Sequence, residues 1–169
     1  MGRDKALLSL DGEPLLVRMA HRVAEVAGSV VVVGPAERYA HLGFEVVPDR
    51  VPGAGPLGGI DTVLALGRGN WNLVVACDLP AVAPTFLAAL LERTRKSQAD
   101  CVMPRSDRPE PLCAVYSLSA APAIRTALDA GVRKITQALT ALAIDWYEVD
   151  RPGILTNLNT PHDWEAFLG

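Results

Sequence analysis

Val30-Val31-Val32-Val33-Gly34-Pro35 is apolar at every position until glycine and proline stop it. A half-buried strand alternates apolar and polar side chains. A strand that is apolar throughout has both faces covered, as in a parallel sheet with helices on either side. The flanking sequence agrees. Upstream, Leu15, Leu16, Met19, Val23 and Val26 share one face of a helix that follows Pro14, a residue suited to a first turn. Downstream the alternation continues, with strands over 44–47 and 73–77 and helices over 56–66 and 84–95. Strands over 101–104 and 112–117 come next, then helices near 120–128 and 133–142 and a strand over 145–149. A short closing helix is opened by Thr160 as cap, Pro161 in the first turn and Asp163 completing a capping box. Strand–helix alternation of this kind predicts an open α/β sandwich in a single domain over 1–169.

Composition narrows the function. Half of the 169 residues are hydrophobic, enough for one well-buried core, and the net charge of −3 offers no general attraction to nucleic acid or to an anionic membrane. Any phosphate binding must come from a few placed cations. The longest apolar runs, 30–33 and 73–77, fall far short of the roughly 18 residues of a membrane span. Asp4, Lys5, Asp11 and Glu13 interrupt any apolar core at the start of the sequence, which does not read as a secretory signal. Cys77, Cys101 and Cys113 sit in apolar stretches without a Cys-x-x-Cys spacing and read as buried, reduced thiols of a cytoplasmic protein. His21, His41 and His162 do not cluster, so neither a zinc site nor a nucleophile–base pair is supported, and no serine has nucleophile-elbow context.

Open α/β sheets bind ligands beyond the carboxyl ends of their strands. Three features fall there: Cys77-Asp78-Leu79-Pro80, Val46-Val47-Pro48-Asp49 and the turn Gly53-Ala54-Gly55-Pro56-Leu57-Gly58-Gly59. Asp78, an acid at the mouth of a buried strand, reads either as a magnesium ligand or as a turn aspartate before proline. Lys5 reads as a point charge for phosphate or as solvated surface. The glycine-rich turn reads as a backbone cradle at a helix N-terminus, which favours an anion, or as a connector. Arg133-Lys134 either holds an anionic substrate or forms a solvated face.

Six segments, taken in order, are similar to those of molybdenum cofactor guanylyltransferases. They are Met1-Gly2-Arg3-Asp4-Lys5-Ala6-Leu7-Leu8, Gly12-Glu13-Pro14-Leu15, Gly55-Pro56-Leu57-Gly58-Gly59-Ile60, Cys77-Asp78-Leu79-Pro80, Glu110-Pro111-Leu112-Cys113-Ala114-Val115-Tyr116 and Asn157-Leu158-Asn159-Thr160-Pro161. The resemblance spans nearly the whole chain. It implies a three-layer α/β/α Rossmann-like sandwich with a mostly parallel sheet, of the nucleotide-diphospho-sugar transferase type. The implied activity is Mg2+-dependent transfer of GMP from GTP to molybdopterin with release of pyrophosphate. By the same resemblance Lys5 contacts the nucleotide phosphates, Asp49, Gly55, Pro56 and Leu57 belong to the nucleotide side, and Asp78 holds the magnesium. Pro111, Leu112, Asn157 and Asn159 fall to the molybdopterin side, with Asn159 as a second metal contact, and Arg133 joins them as a substrate-binding candidate on its own sequence context. Molybdenum cofactor biosynthesis proteins and acceptor enzymes are the implied transient partners.

Two departures from the family pattern stand out. Members place Leu-Ala-Gly-Gly-x-Ser-x-Arg, a first strand and its phosphate loop, directly before Met-Gly; the expectation is that the natural protein begins upstream and that Met1 is an internal methionine. Gly34 replaces an asparagine that follows the valine run, with loss of that side chain's nucleotide contact. Two rival readings remain. Molybdopterin cytidylyl transfer is one, against which Asp4 and Ala6 around Lys5 favour the guanylyl branch; a non-catalytic nucleotide-binding module is the other.

Overall fold

The computed structural model describes residues 4–158 together with Asp163, Glu165 and Phe167. The chain opens with a 3-10 turn, Lys5–Leu7, and a small antiparallel hairpin of β1 (Ser9–Leu10) and β2 (Glu13–Pro14). Asp11 and Gly12 make its tight bend, both at positive φ (53° and 84°), a pairing that Asp-Gly favours. The helix α1 (Leu15–Ala27) follows and is ended by Gly28 in the left-handed conformation. Next come β3 (Val31–Val33), the single-turn helix α2 (Ala36–Tyr39) and β4 (Glu45–Val47). After the glycine-rich turn, α3 (Pro56–Leu66) leads to β5 (Trp71–Val75) and α4 (Pro84–Thr94). β6 (Cys101–Arg105) and β7 (Cys113–Ser117) precede α5 (Ala121–Asp129), α6 (Ile135–Ala138) and β8 (Ile144–Glu148).

β3 pairs in parallel with β4, and the larger sheet has the order β5-β7-β6-β8. Within it β5, β6 and β8 run one way and β7 alone runs the other. Alternate residues of β6 and β7 enter different cores, which makes the three layers. Cys101, Met103, Ala114 and Tyr116 pack with Leu57, Ile60 and Leu64 of α3 and Ile124 and Leu128 of α5. Val102, Cys113 and Val115 pack on the other face with Met19 and Val23 of α1 and Leu87 and Leu90 of α4. The fold is therefore the α/β sandwich expected from the valine run.

Some boundaries move. The strand expected over 73–77 lies two residues earlier, because its ladder to β7 runs from Trp71 opposite Ser117 to Val75 opposite Cys113. The helix expected over 133–142 shrinks to α6 and a 3-10 turn, Leu139–Ala141. Lys134 is still extended there, Arg133 turns back onto the end of α5, and the Thr140 hydroxyl donates to the Gln137 carbonyl, competing with the helix ladder. Asp163, Glu165 and Phe167 are helical as expected, whereas Thr160 and Pro161 lie outside the described residues.

β3 and β5 do not pair with each other. Between their facing edges lies a cavity of about 470 Å³, floored and roofed by Leu16, Met19 and Ala20 of α1 and Gly59, Ile60 and Val63 of α3. Its mouth, at the carboxyl ends of the strands, carries Asp4, Lys5, Tyr39 and Asp78.

Two adjacent glycines of α3 are expected to respond oppositely to alanine. A Cβ at Gly58 would sit 2.9 Å from the Ala54 Cβ and 3.3 Å from the Val51 carbonyl oxygen, whereas one at Gly59 meets nothing within 4 Å. Gly58→Ala is expected to lower stability by about 1–2 kcal/mol through overpacking, and Gly59→Ala to raise it by up to about 1 kcal/mol through helix propensity. Urea midpoints at constant m check both signs.

Candidate active site

Four segments converge at the mouth of the cavity. The first is the turn that carries Lys5, opened by Asp4, whose Oδ1 accepts the Ala6 N–H at 3.1 Å. The second is the loop after β5. Its Asp78 is followed by a bend that Arg22 of α1 clamps by donating to the Pro80 and Val82 carbonyls at 2.8 and 2.7 Å. The third is the 110–112 loop, held against the end of β5 by the Ala76 N–H donating to the Leu112 carbonyl at 2.7 Å. The fourth is the start of α3, where Gly55 at φ 64° caps the helix and Pro56 and Gly59 line the wall.

Electrostatics single out Asp78. Burial raises its carboxyl above the ordinary carboxylate value, while the positive charge of Lys5 and a backbone hydrogen bond act the other way. An acid that is desolvated yet faces a cation in a cleft is the arrangement expected of a functional group rather than a solvated turn. The adjacent Cys77 thiol is pushed up to about 11, first by burial and then by the Asp78 charge, so it stays protonated at neutral pH and acts as packing.

The other predicted residues divide. Leu112 lines the cavity, and the Pro111 carbonyl accepts the Tyr116 hydroxyl at 2.9 Å, which fixes that loop. Asp49 lies beside α3, its Oδ1 3.7 Å from where a Gly58 Cβ would be, and burial raises its carboxyl too, but it does not line the cavity. Leu57 is 1% exposed and its side chain belongs to the core, leaving only its backbone for a ligand. Asn157 does not line the cavity either. Its amide donates to Glu110 Oε2 at 3.2 Å, and the neighbouring Leu158 N–H donates to the Asp78 carbonyl at 2.9 Å, so this segment reaches the metal-candidate loop through its backbone. Arg133 sits apart: its guanidinium donates to the Leu128 and Val132 carbonyls at the end of α5. Asn159 lies outside the described residues.

Sequence reasoning missed two groups. Glu110, 8% exposed, accepts from both the Leu112 N–H and Asn157, joining two of the predicted substrate segments. Tyr39 lines the mouth and donates its hydroxyl to Asp4 Oδ2 at 2.9 Å. An acid preceding Pro-Leu was a readable signal for the first. Nothing local marks the second, since its partner is 35 residues away.

Comparison with known proteins matches this geometry to a family. The MobA-like NTP transferase domain matches residues 1–143. A probable molybdenum cofactor guanylyltransferase of Synechococcus elongatus is 35% identical over 175 residues, covering 98% of this chain and 90% of that protein. Among solved structures, molybdopterin-guanine dinucleotide biosynthesis protein A from Archaeoglobus fulgidus superposes with a TM-score of 0.80 at 31% identity, covering 98% of this chain and 89% of the other. The 2-C-methyl-D-erythritol 4-phosphate cytidylyltransferase of Thermus thermophilus, at 19% identity and a TM-score of 0.74 over 96% and 91% of the two chains, shares the fold. With Lys5 and Asp78 facing one cavity at the carboxyl edge of such a sheet, this chain belongs to the MobA-like nucleotidyltransferases, among the molybdenum cofactor guanylyltransferases.

Proposed function

We propose that the chain transfers the GMP moiety of GTP to the terminal phosphate of molybdopterin, releasing pyrophosphate, with Mg2+ held at Asp78. The observation that carries this reading is the opposition of Lys5 and Asp78 across one cavity mouth. The guanylyltransferase relatives support the choice of GTP and of molybdopterin.

Charge governs the work left to the protein. Two anions must meet, so its residues position and neutralise rather than react covalently. Lys5 offers a point charge to the phosphates, and the start of α3 offers backbone N–H groups beside Gly55 and Pro56. Among the described residues no group of three or more metal-ligating side chains occurs, which suits magnesium, an ion usually held by one or two carboxylates together with substrate phosphates. When bound, the ion would neutralise charge developing on the transferred phosphate. Arg22 acts indirectly, by fixing the bend after Asp78. Asn157, held by Glu110, lies on the proposed molybdopterin side, and Asp49 stands behind the first turn of α3 as backing for the nucleotide segment. Molybdenum cofactor biosynthesis proteins and acceptor enzymes are the partners that such a product requires. A cytoplasmic location suits these soluble substrates and is consistent with the absence, among the described residues, of a helix long and apolar enough to cross a membrane.

Two sets of measurements test these assignments. In a pyrophosphate-release assay with molybdopterin, GTP should turn over and CTP should not; preference for CTP would overturn the guanylyl assignment. Asp78→Asn is expected to lower kcat by at least about a hundredfold. Because burial raises this carboxyl, the folded state binds its proton more tightly than the unfolded chain, so ionisation at neutral pH costs folding free energy. Without divalent metal, Asp78→Asn should therefore melt no lower than the parent, whereas a structural aspartate would melt lower.

A further inference from the structure

Gly34 ends β3, and a Cβ placed there would lie 2.8 Å from Cε2 of Tyr39. The missing side chain is thus the space that the Tyr39 ring occupies. From the end of α2 the ring reaches back to pack around Ala6, Leu16 and Val32, in the same cluster as Cys77 beside the candidate metal ligand. Its hydroxyl then donates to Asp4 Oδ2 at 2.9 Å, while the other oxygen of that carboxylate caps the turn that carries Lys5. Arg38 also approaches Asp4 Oδ2, at 3.5 Å, but its side chain is exposed. Burial and the Asp4 contact raise the Tyr39 hydroxyl to about 12, which keeps it a donor throughout the neutral range.

We propose that Tyr39 is a positioning residue for the nucleotide phosphates: seated in the space left by Gly34, it holds Asp4, and through Asp4 it fixes the Lys5 turn opposite Asp78. The proposal rests on the reading of Lys5 as the phosphate-binding cation. It also gives position 34 a role other than nucleotide contact, since glycine there admits a ring from the next helix.

The link is short enough to cut at either end. Tyr39→Phe keeps the ring and removes only the hydroxyl. It is expected to raise the KM for GTP about three- to tenfold, the scale of one ordinary hydrogen bond because the effect reaches the nucleotide only through Asp4, with kcat changed less than about twofold. Asp4→Ala should raise KM at least as much, and Tyr39→Phe should add less than about twofold to either Asp4→Ala or Lys5→Ala, because residues acting through one link are not additive. Thermal melting of each variant controls for loss of fold, and the KM-against-kcat split and the non-additivity are effects that a merely structural tyrosine would not produce. If Lys5→Ala raises KM while Tyr39→Phe does not, the positioning role is wrong and the reading of Lys5 stands. If the Tyr39→Phe and Lys5→Ala effects multiply, Tyr39 acts independently and the proposal is overturned. If Lys5→Ala leaves KM unchanged, the reading of Lys5 falls and takes this proposal with it.

Discussion

A carboxylate at the half-buried end of a strand loses hydration, and a positive group facing it offsets part of that cost; this constraint organises the cavity mouth. The backbone on both sides of Asp78 is fixed. β5 is laddered to β7 behind it, and Arg22 clamps the bend ahead of it. Burial therefore works against its charge, and the compensation comes from Lys5, which belongs to a turn at the other end of the sequence. A desolvated acid with a specific charge partner in a cleft is a functional-site candidate.

The remaining architecture keeps these two groups in register. Both faces of the sheet are covered, so β6 and β7 are rigidly buried and transmit no slack to β5. Pro104 has no N–H to give. β7 pairs with β6 only at Cys101 and Val102, and beyond them the chain leaves the ladder as the loop that brings Leu112 to the cavity. The Asn157 segment is tied to this loop by Glu110 and to the Asp78 loop by its backbone, so the two sides of the cleft share one hydrogen-bonded frame. The side of the mouth formed by β3 and α2 has no ladder to β5, and there Tyr39 is tied to Asp4 of the Lys5 turn.

Much of this was legible in one dimension. Periodicity located α1, α3 and α4 almost to the residue, because their apolar faces and flanking Pro or Gly signals are local. The strand of valines and the acid at the end of β5 were legible for the same reason. The start of the helix over 133–142 was not, since Arg133 turns its side chain back to the Leu128 carbonyl and Lys134 stays extended, an outcome that a basic pair after glycine does not distinguish from a first helical turn. Arg133 itself illustrates the limit: a basic pair after glycine has the same appearance whether it meets a substrate or caps a helix.

By itself, the sequence determined the fold class and the family and offered Lys5 and Asp78 as candidates, because hydrophobic periodicity and motif order are properties of neighbours along the chain. Only the tertiary structure decided that Leu57 is core while Pro56 and Gly59 stand at the wall, that Asp49 lies behind α3, and that Tyr39 reaches Asp4. Those outcomes turn on which residues, distant in sequence, exclude water from one another, and that is settled only when the layers close.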